Sequence, residues 1–223
     1  MQEGEWRTVT DRLPQSPPAA PPCSPTAQRV LTEAARLFAQ RGFTTTTTRD
    51  IAAAVGIRQP SLYKHFGSKE AILAALFDRT SIRMAAVVDQ LAPLPHGPAV
   101  RLYRWLHELG DLMLTTPFVV TALLRTRELA DPVFAPQQRE VLAGRRYCAD
   151  LIAGAVADGV FRAVDPAHTS RLVFGVLDAA AVVRSSPSMG IDEVLEFTFR
   201  ALLADTEALT AIRAEALSIT LTH

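Results

Sequence analysis

Three glycines, Gly42, Gly56 and Gly67, cut residues 25–91 into four stretches of helical period, two of them only about eight residues long. A helix that short is not stable alone in water and persists only where neighbours pack against it. The segment therefore demands a cluster of short helices joined by tight turns. Beyond it, Gly and Pro keep punctuating patterns of helical period, and no stretch sustains a period-2 alternation. The one β-branched run, Thr44–Thr48, lies between two helical patterns. The chain is predicted to be all-α.

Ser24-Pro25 opens the first helix with a capping hydroxyl and a proline at the first helical position. Val30, Ala34, Leu37, Phe38 and then Phe43 give it one apolar face, and Gly42 ends it. The second helix begins near Thr47, which has the spacing of a capping box with Asp50, and runs to Val55. Gly56-Ile57-Arg58 is the turn, the third helix covers about Gln59–Phe66, and a fourth starts at Ser68 and continues to about Leu91. Ala52 is small where the second and third helices cross. Ile51, Val55, Ile57, Leu62 and Phe66 are predicted to face inward onto Leu37 and Phe38, which makes a three-helix unit with its last helix projecting. Later helices are predicted at 98–115, 118–130, 136–158, 166–184 and 191–205, with a short one to 220, the joints falling at Pro117, Asp131-Pro132, Asp165-Pro166 and Ser186-Pro187.

Composition narrows the function. Net charge is zero, with 23 basic and 23 acidic residues, yet residues 25–71 hold seven Arg and Lys against three Asp and Glu, a local charge of +4. Both lysines of the chain, Lys64 and Lys69, lie there. A compact basic unit on a mildly acidic remainder is the asymmetry expected when one module meets a polyanion. No apolar run approaches the roughly 18–20 residues of a membrane span. The first 24 residues carry five prolines and no apolar signal stretch, so 1–24 reads as a disordered Pro-rich tail and the chain as cytoplasmic. Cys23 and Cys148 read as reduced thiols, the latter buried. No Ser-His-Asp arrangement, phosphate-cradling glycine loop, metal cluster or carboxylate pair points to an enzyme, and no cofactor or metal is expected.

The outward residues of the third helix, Gln59, Ser61, Tyr63, Lys64 and His65, can all hydrogen-bond bases or phosphates. A structural helical hairpin shares the spacing, but the local charge and the donor-rich face favour DNA. Gln59 lies near the helix N-terminus, where base edges are read; its amide suits adenine and Pro60 can touch a thymine methyl. Thr47, Thr48 and Arg49 open the second helix, and Lys69 opens the fourth, both places suited to a phosphate. Residues 47–73, with Ala34–Phe43 before them, strongly resemble the DNA-binding region of TetR-family repressors over about 50 residues, most specifically in Leu62-Tyr63-x-His65-Phe66-x-x-Lys69-Glu70. The resemblance implies phosphate contacts from Thr48, Tyr63, His65 and Lys69, and base contacts from Arg49, Gln59, Pro60, Ser61 and Lys64. Val55 departs from the family, where alanine is common.

The same resemblance implies an N-terminal DNA-binding domain at 25–72 and a helical ligand-binding and dimerisation domain at 73–223, with the structural boundary inside the fourth helix or just after it. The expected partners are a palindromic double-stranded operator, a second copy of the chain and an apolar or aromatic small-molecule effector. Reading a palindrome takes two recognition helices one DNA turn apart, hence a dimer. Its surface is expected on the last two long helices, at Val173, Leu177, Ala181, Leu195, Phe197 and Leu202. The effector pocket is expected among Trp105, His107, Met113, Phe118 and Tyr147, with Phe134 also available, and Asp111 one turn beyond His107.

Overall fold

Side-chain caps fix where the first helices start. The Ser24 hydroxyl accepts from the Ala27 amide at 3.2 Å, and the Ser68 hydroxyl accepts from the Ala71 amide at 3.1 Å. Between them Thr47 and Asp50 form the full capping box. In the computed structural model, which describes residues 24–115, 131–182 and 190–222, these caps open α1 (Pro25–Arg41), α2 (Thr48–Val55) and α4 (Lys69–Leu91), with α3 (Gln59–Tyr63) between the last two. There follow α5 (Pro98–Thr115), a single 3-10 turn (Pro132–Phe134), α6 (Ala135–Ala157), α7 (Pro166–Val182), α8 (Ile191–Leu202) and α9 (Ala208–Ser218). The only extended pairing among the described residues is one antiparallel bridge, Phe161 to Leu203. That bridge stops α8 at Leu202, short of the predicted 205, because Leu203 turns extended to make it. The helix expected at 118–130, the Ser186-Pro187 joint and the tail at 1–23 lie outside the described residues.

Gly56 leaves α2 in the left-handed conformation, φ 76° and ψ 32°. The Ile57 amide can then reach back to the Ala52 carbonyl at 3.0 Å. A residue with a Cβ adopts that conformation at a cost of about 1 kcal/mol. The α3 helix itself is short, but the His65 and Phe66 amides both donate to the Leu62 carbonyl, at 2.9 and 3.0 Å, and carry the turn to Phe66.

The buried apolar side chains fall into two clusters that part along α4. The first joins α1, α2 and α3 to the N-terminal half of α4 as far as Phe77. The second begins at Met84 and is built around α5, which touches α4, α6, α7, α8 and α9. Gly110 permits the close crossing of α5 and α8, since a Cβ there would fall 1.9 Å from Ile191 Cδ1. The buried Arg104 and Glu108 of α5 pair at 2.6 Å, Arg83 of α4 reaches Glu108 at 3.3 Å, and the Arg104 Nε donates to the Ile219 carbonyl at 3.2 Å. Gln90 near the end of α4 both donates to and accepts from Thr222. Thus α4 belongs to both halves and is fastened at its far end by the C-terminal strap.

A second connection between the halves was not foreseen. Phe134, expected among the pocket residues of the second half, is 2% exposed and lies in the first cluster, edge-on to Phe43 with ring centroids 6.5 Å apart. Asp131 caps the turn that carries it, accepting from the Val133 amide at 2.9 Å. Gln137, on the first turn of α6, donates to Asp78 of α4 at 2.8 Å. The start of α6 is therefore docked on the helix-turn-helix unit, and Phe134 is removed from any pocket among α5–α7.

Candidate nucleic-acid interface

Thr48, at the start of α2, touches both ends of α3. Its hydroxyl accepts from the Gln59 side-chain amide at 2.9 Å and lies 3.2 Å from the Tyr63 hydroxyl. Fixing one amide proton of Gln59 leaves its second proton and its Oε1 for a base edge, the pair that adenine requires. Arg49, Arg58, Pro60, Tyr63, Lys64 and His65 are exposed around this brace, while Leu62 beneath them is fully buried. Ser61 is half-buried. The result is an exposed strip of donors and cations on a buried apolar footing.

Thr47, itself exposed, caps the helix. Its hydroxyl donates to the Asp50 carboxylate at 2.6 Å and accepts from the Asp50 amide at 3.1 Å. The hydroxyl and amide of Thr47 hold the Asp50 carboxyl below its usual range. A depressed folded-state pKa contributes stability above the unfolded value, lost as pH falls through the folded one. The cap of α2 is therefore intact at neutral pH.

Lys69 has a use the sequence did not suggest. Its ammonium donates to the carbonyls of Phe43 at 2.7 Å, Thr46 at 2.9 Å and Thr44 at 3.4 Å, and sits 4.2 Å from the centre of the Phe43 ring. It fastens the loop before α2 to the start of α4. Thr46 was also missed: it is fully buried, and its hydroxyl donates to the Gly42 carbonyl at 2.8 Å. Arg29 of α1 donates to the Val55 carbonyl at the end of α2. These three residues set the tilt of α2 and α3 through backbone acceptors, which leave no trace in a sequence pattern.

Residues 30–76 match the model of the bacterial regulatory proteins of the tetR family. A repressor of Rhodococcus jostii, KstR2, is 60% identical over 40 residues, which are 18% of this chain and 20% of the relative. The crystal structure of Mycobacterium smegmatis AmtR superposes with a TM-score of 0.74 at 27% identity, covering 92% of this chain and 100% of that one. The N-terminal unit thus matches the tetR family, and the chain as a whole shares the fold of AmtR. A further structural neighbour, AibR, solved in complex with isovaleryl coenzyme A and operator DNA, has a TM-score of 0.67 at 20% identity over 80% of this chain and 98% of that one, a likeness of fold. The match to the curated KstR2 relative spans a fifth of that relative's length.

In the second half of the chain the structure sorts the expected residues differently. Trp105 and Tyr147 do meet, edge-on with centroids 5.3 Å apart. His107 points to another side of α5, stacked on Tyr103 and 3.9 Å from Asp192 of α8. Met113 is buried in the main core, and Phe118 lies outside the described residues. Of the expected dimer residues, Val173, Leu177, Ala181, Leu195 and Leu202 are buried within the protomer and unavailable to a partner. The correction has a simple cause. Both helices are apolar on more than one side, and the protomer's own core takes the side holding these five. Phe197 is the exception at 66% exposed, joined by Leu172 at 71%. Cys148 is fully buried, and burial pushes its thiol up to about 12, far from a reactive thiolate. No helix among the described residues is long and apolar enough to cross a membrane.

Proposed function

We propose that this protein is a cytoplasmic, non-enzymatic transcriptional regulator that binds a palindromic operator as a homodimer and releases it when a small molecule binds the second half. The observation that carries the reading is the exposed donor strip of α3, braced from α2 through Thr48. Gln59, Pro60, Ser61, Lys64 and Arg49 read base edges. Thr48, Tyr63 and His65 hold phosphates, and Lys69 and Thr47 position the helices that present them. The repressor name of the R. jostii relative and the operator DNA in the AibR complex support this assignment.

The dimer forms through the outer faces of α7 and α8. Leu172, Gly175 and Ala179 are exposed along one side of α7, and Phe197 and Ala201 along α8. Large exposed apolar residues clustered on two adjacent helices mark an association surface, and a two-fold axis there gives a four-helix contact. The effector acts by population shift: it favours a second-half conformation whose α4 and Phe134 hold the recognition helices away from operator spacing.

Binding to DNA from upstream of the protein's own gene tests the reading. Affinity should fall steeply as salt rises. Gln59→Ala should relax base preference at one position of each half-site, by about 1–3 kcal/mol. Tyr63→Phe should instead weaken binding to all sequences alike, by about 1 kcal/mol. Uniform weakening by Gln59→Ala would remove that residue from the reading role.

A further inference from the structure

Resting on that reading, we infer that the effector site is the cluster around Trp105 and that its ligand carries an anionic, acceptor-rich head, a carboxylate, on an apolar body. Four buried donor atoms there have no hydrogen-bond partner among the described residues: Trp105 Nε1, Tyr147 OH, Arg101 Nε and Arg145 Nε. The Trp105 and Tyr147 side chains belong to residues only 3% and 6% exposed. Folded proteins leave few buried polar groups unpaired, because each costs its full desolvation.

The four belong to one neighbourhood. Trp105 packs edge-on to Tyr147 and, at 6.1 Å between centroids, to Phe174 of α7. The Arg145 guanidinium lies 5.7 Å from the centre of the Phe174 ring. Arg101 stands one turn before Trp105 on α5, and its charge acts on the Tyr147 phenol. Burial pushes that phenol up to about 12, so at neutral pH it remains a donor. Every one of the four is a donor, so whatever completes them must bring acceptors. Two belong to guanidinium groups, which adds a call for negative charge. The three rings supply the apolar wall. The apolar or aromatic effector suggested by the sequence would, without such a head, leave all four donors unpaired.

The test uses the full-length chain, with melting followed in the presence of hexanoate, octanoate, decanoate, benzoate and phenylacetate, each against its primary amide. At least one acid should raise Tm by about 5 °C while its amide does not. Arg101→Met should cut the affinity of that acid about tenfold. Tyr147→Phe should do the same and, by removing an unpaired hydroxyl, raise the Tm of the ligand-free protein by about 2–5 °C. The inference is overturned if amides stabilise as well as acids, if no acid in the series shifts Tm, or if Tyr147→Phe lowers the ligand-free Tm. Operator binding by the same preparation separates the two levels. Binding that persists without any acid effect sinks this inference alone, whereas absence of operator binding sinks the proposed function.

Discussion

Replacing Phe134 with alanine should cost about 3–5 kcal/mol, the usual range for deleting a buried aromatic ring. The ring is 2% exposed and packs on Phe43, so the change removes both the transfer free energy and the wall of a closely packed core. Its consequence should reach further than stability. Phe134 enters the helix-turn-helix core from the start of α6, and besides α4 it is a principal physical link between the halves. With the ring gone, calorimetry should resolve two melting transitions where the native chain should show one, the earlier belonging to residues 25–77. DNA affinity should fall with it, since the helix-turn-helix core loses its anchor on the start of α6. The neighbouring Val133, 55% exposed, makes a control: Val133→Ala should change stability by no more than about 0.5 kcal/mol.

Phe197→Asp should abolish dimerisation and lower operator affinity at least about a hundredfold while leaving the protomer folded. In a two-fold contact each substitution occurs twice, so two carboxylates would be buried against the apolar faces of α7 and α8 without counter-charges. In the proposed dimer, operator affinity would depend on both recognition helices being held on one particle. Sedimentation should give a monomer, and circular dichroism should retain its native helical signal. Leu195→Asp, two residues earlier but fully buried in the protomer core, should unfold the second half instead. If the two variants behave alike, the outer face of α8 is not the association surface.

What could be read in advance was what is local. The caps at Ser24, Thr47 and Ser68, the left-handed exit at Gly56 and the inward set Ile51, Val55 and Leu62 each depend on neighbours a few residues away, and the structure holds all of them. What could not be read was long-range or backbone-mediated. The charge of Lys69 is visible in sequence, whereas the three carbonyls that hold its ammonium are not. Phe134 and Phe43 are far apart along the chain, and nothing in either segment announces the other. On α7, Leu172 and Val173 are adjacent and equally apolar, yet one is 71% and the other 3% exposed. Where a helix is apolar all round, periodicity cannot choose its core side, and only the neighbours do. The same ambiguity separated His107 from Trp105 on α5.

Selection of bound fragments from a random duplex pool by the native protein tests the central claim most directly. The account predicts one enriched palindrome whose half-sites are centred one helical turn apart, about 34 Å, with Gln59→Ala losing preference at one symmetric pair of positions. Enrichment of no sequence, or of a single unrepeated site bound by one protomer, would contradict it.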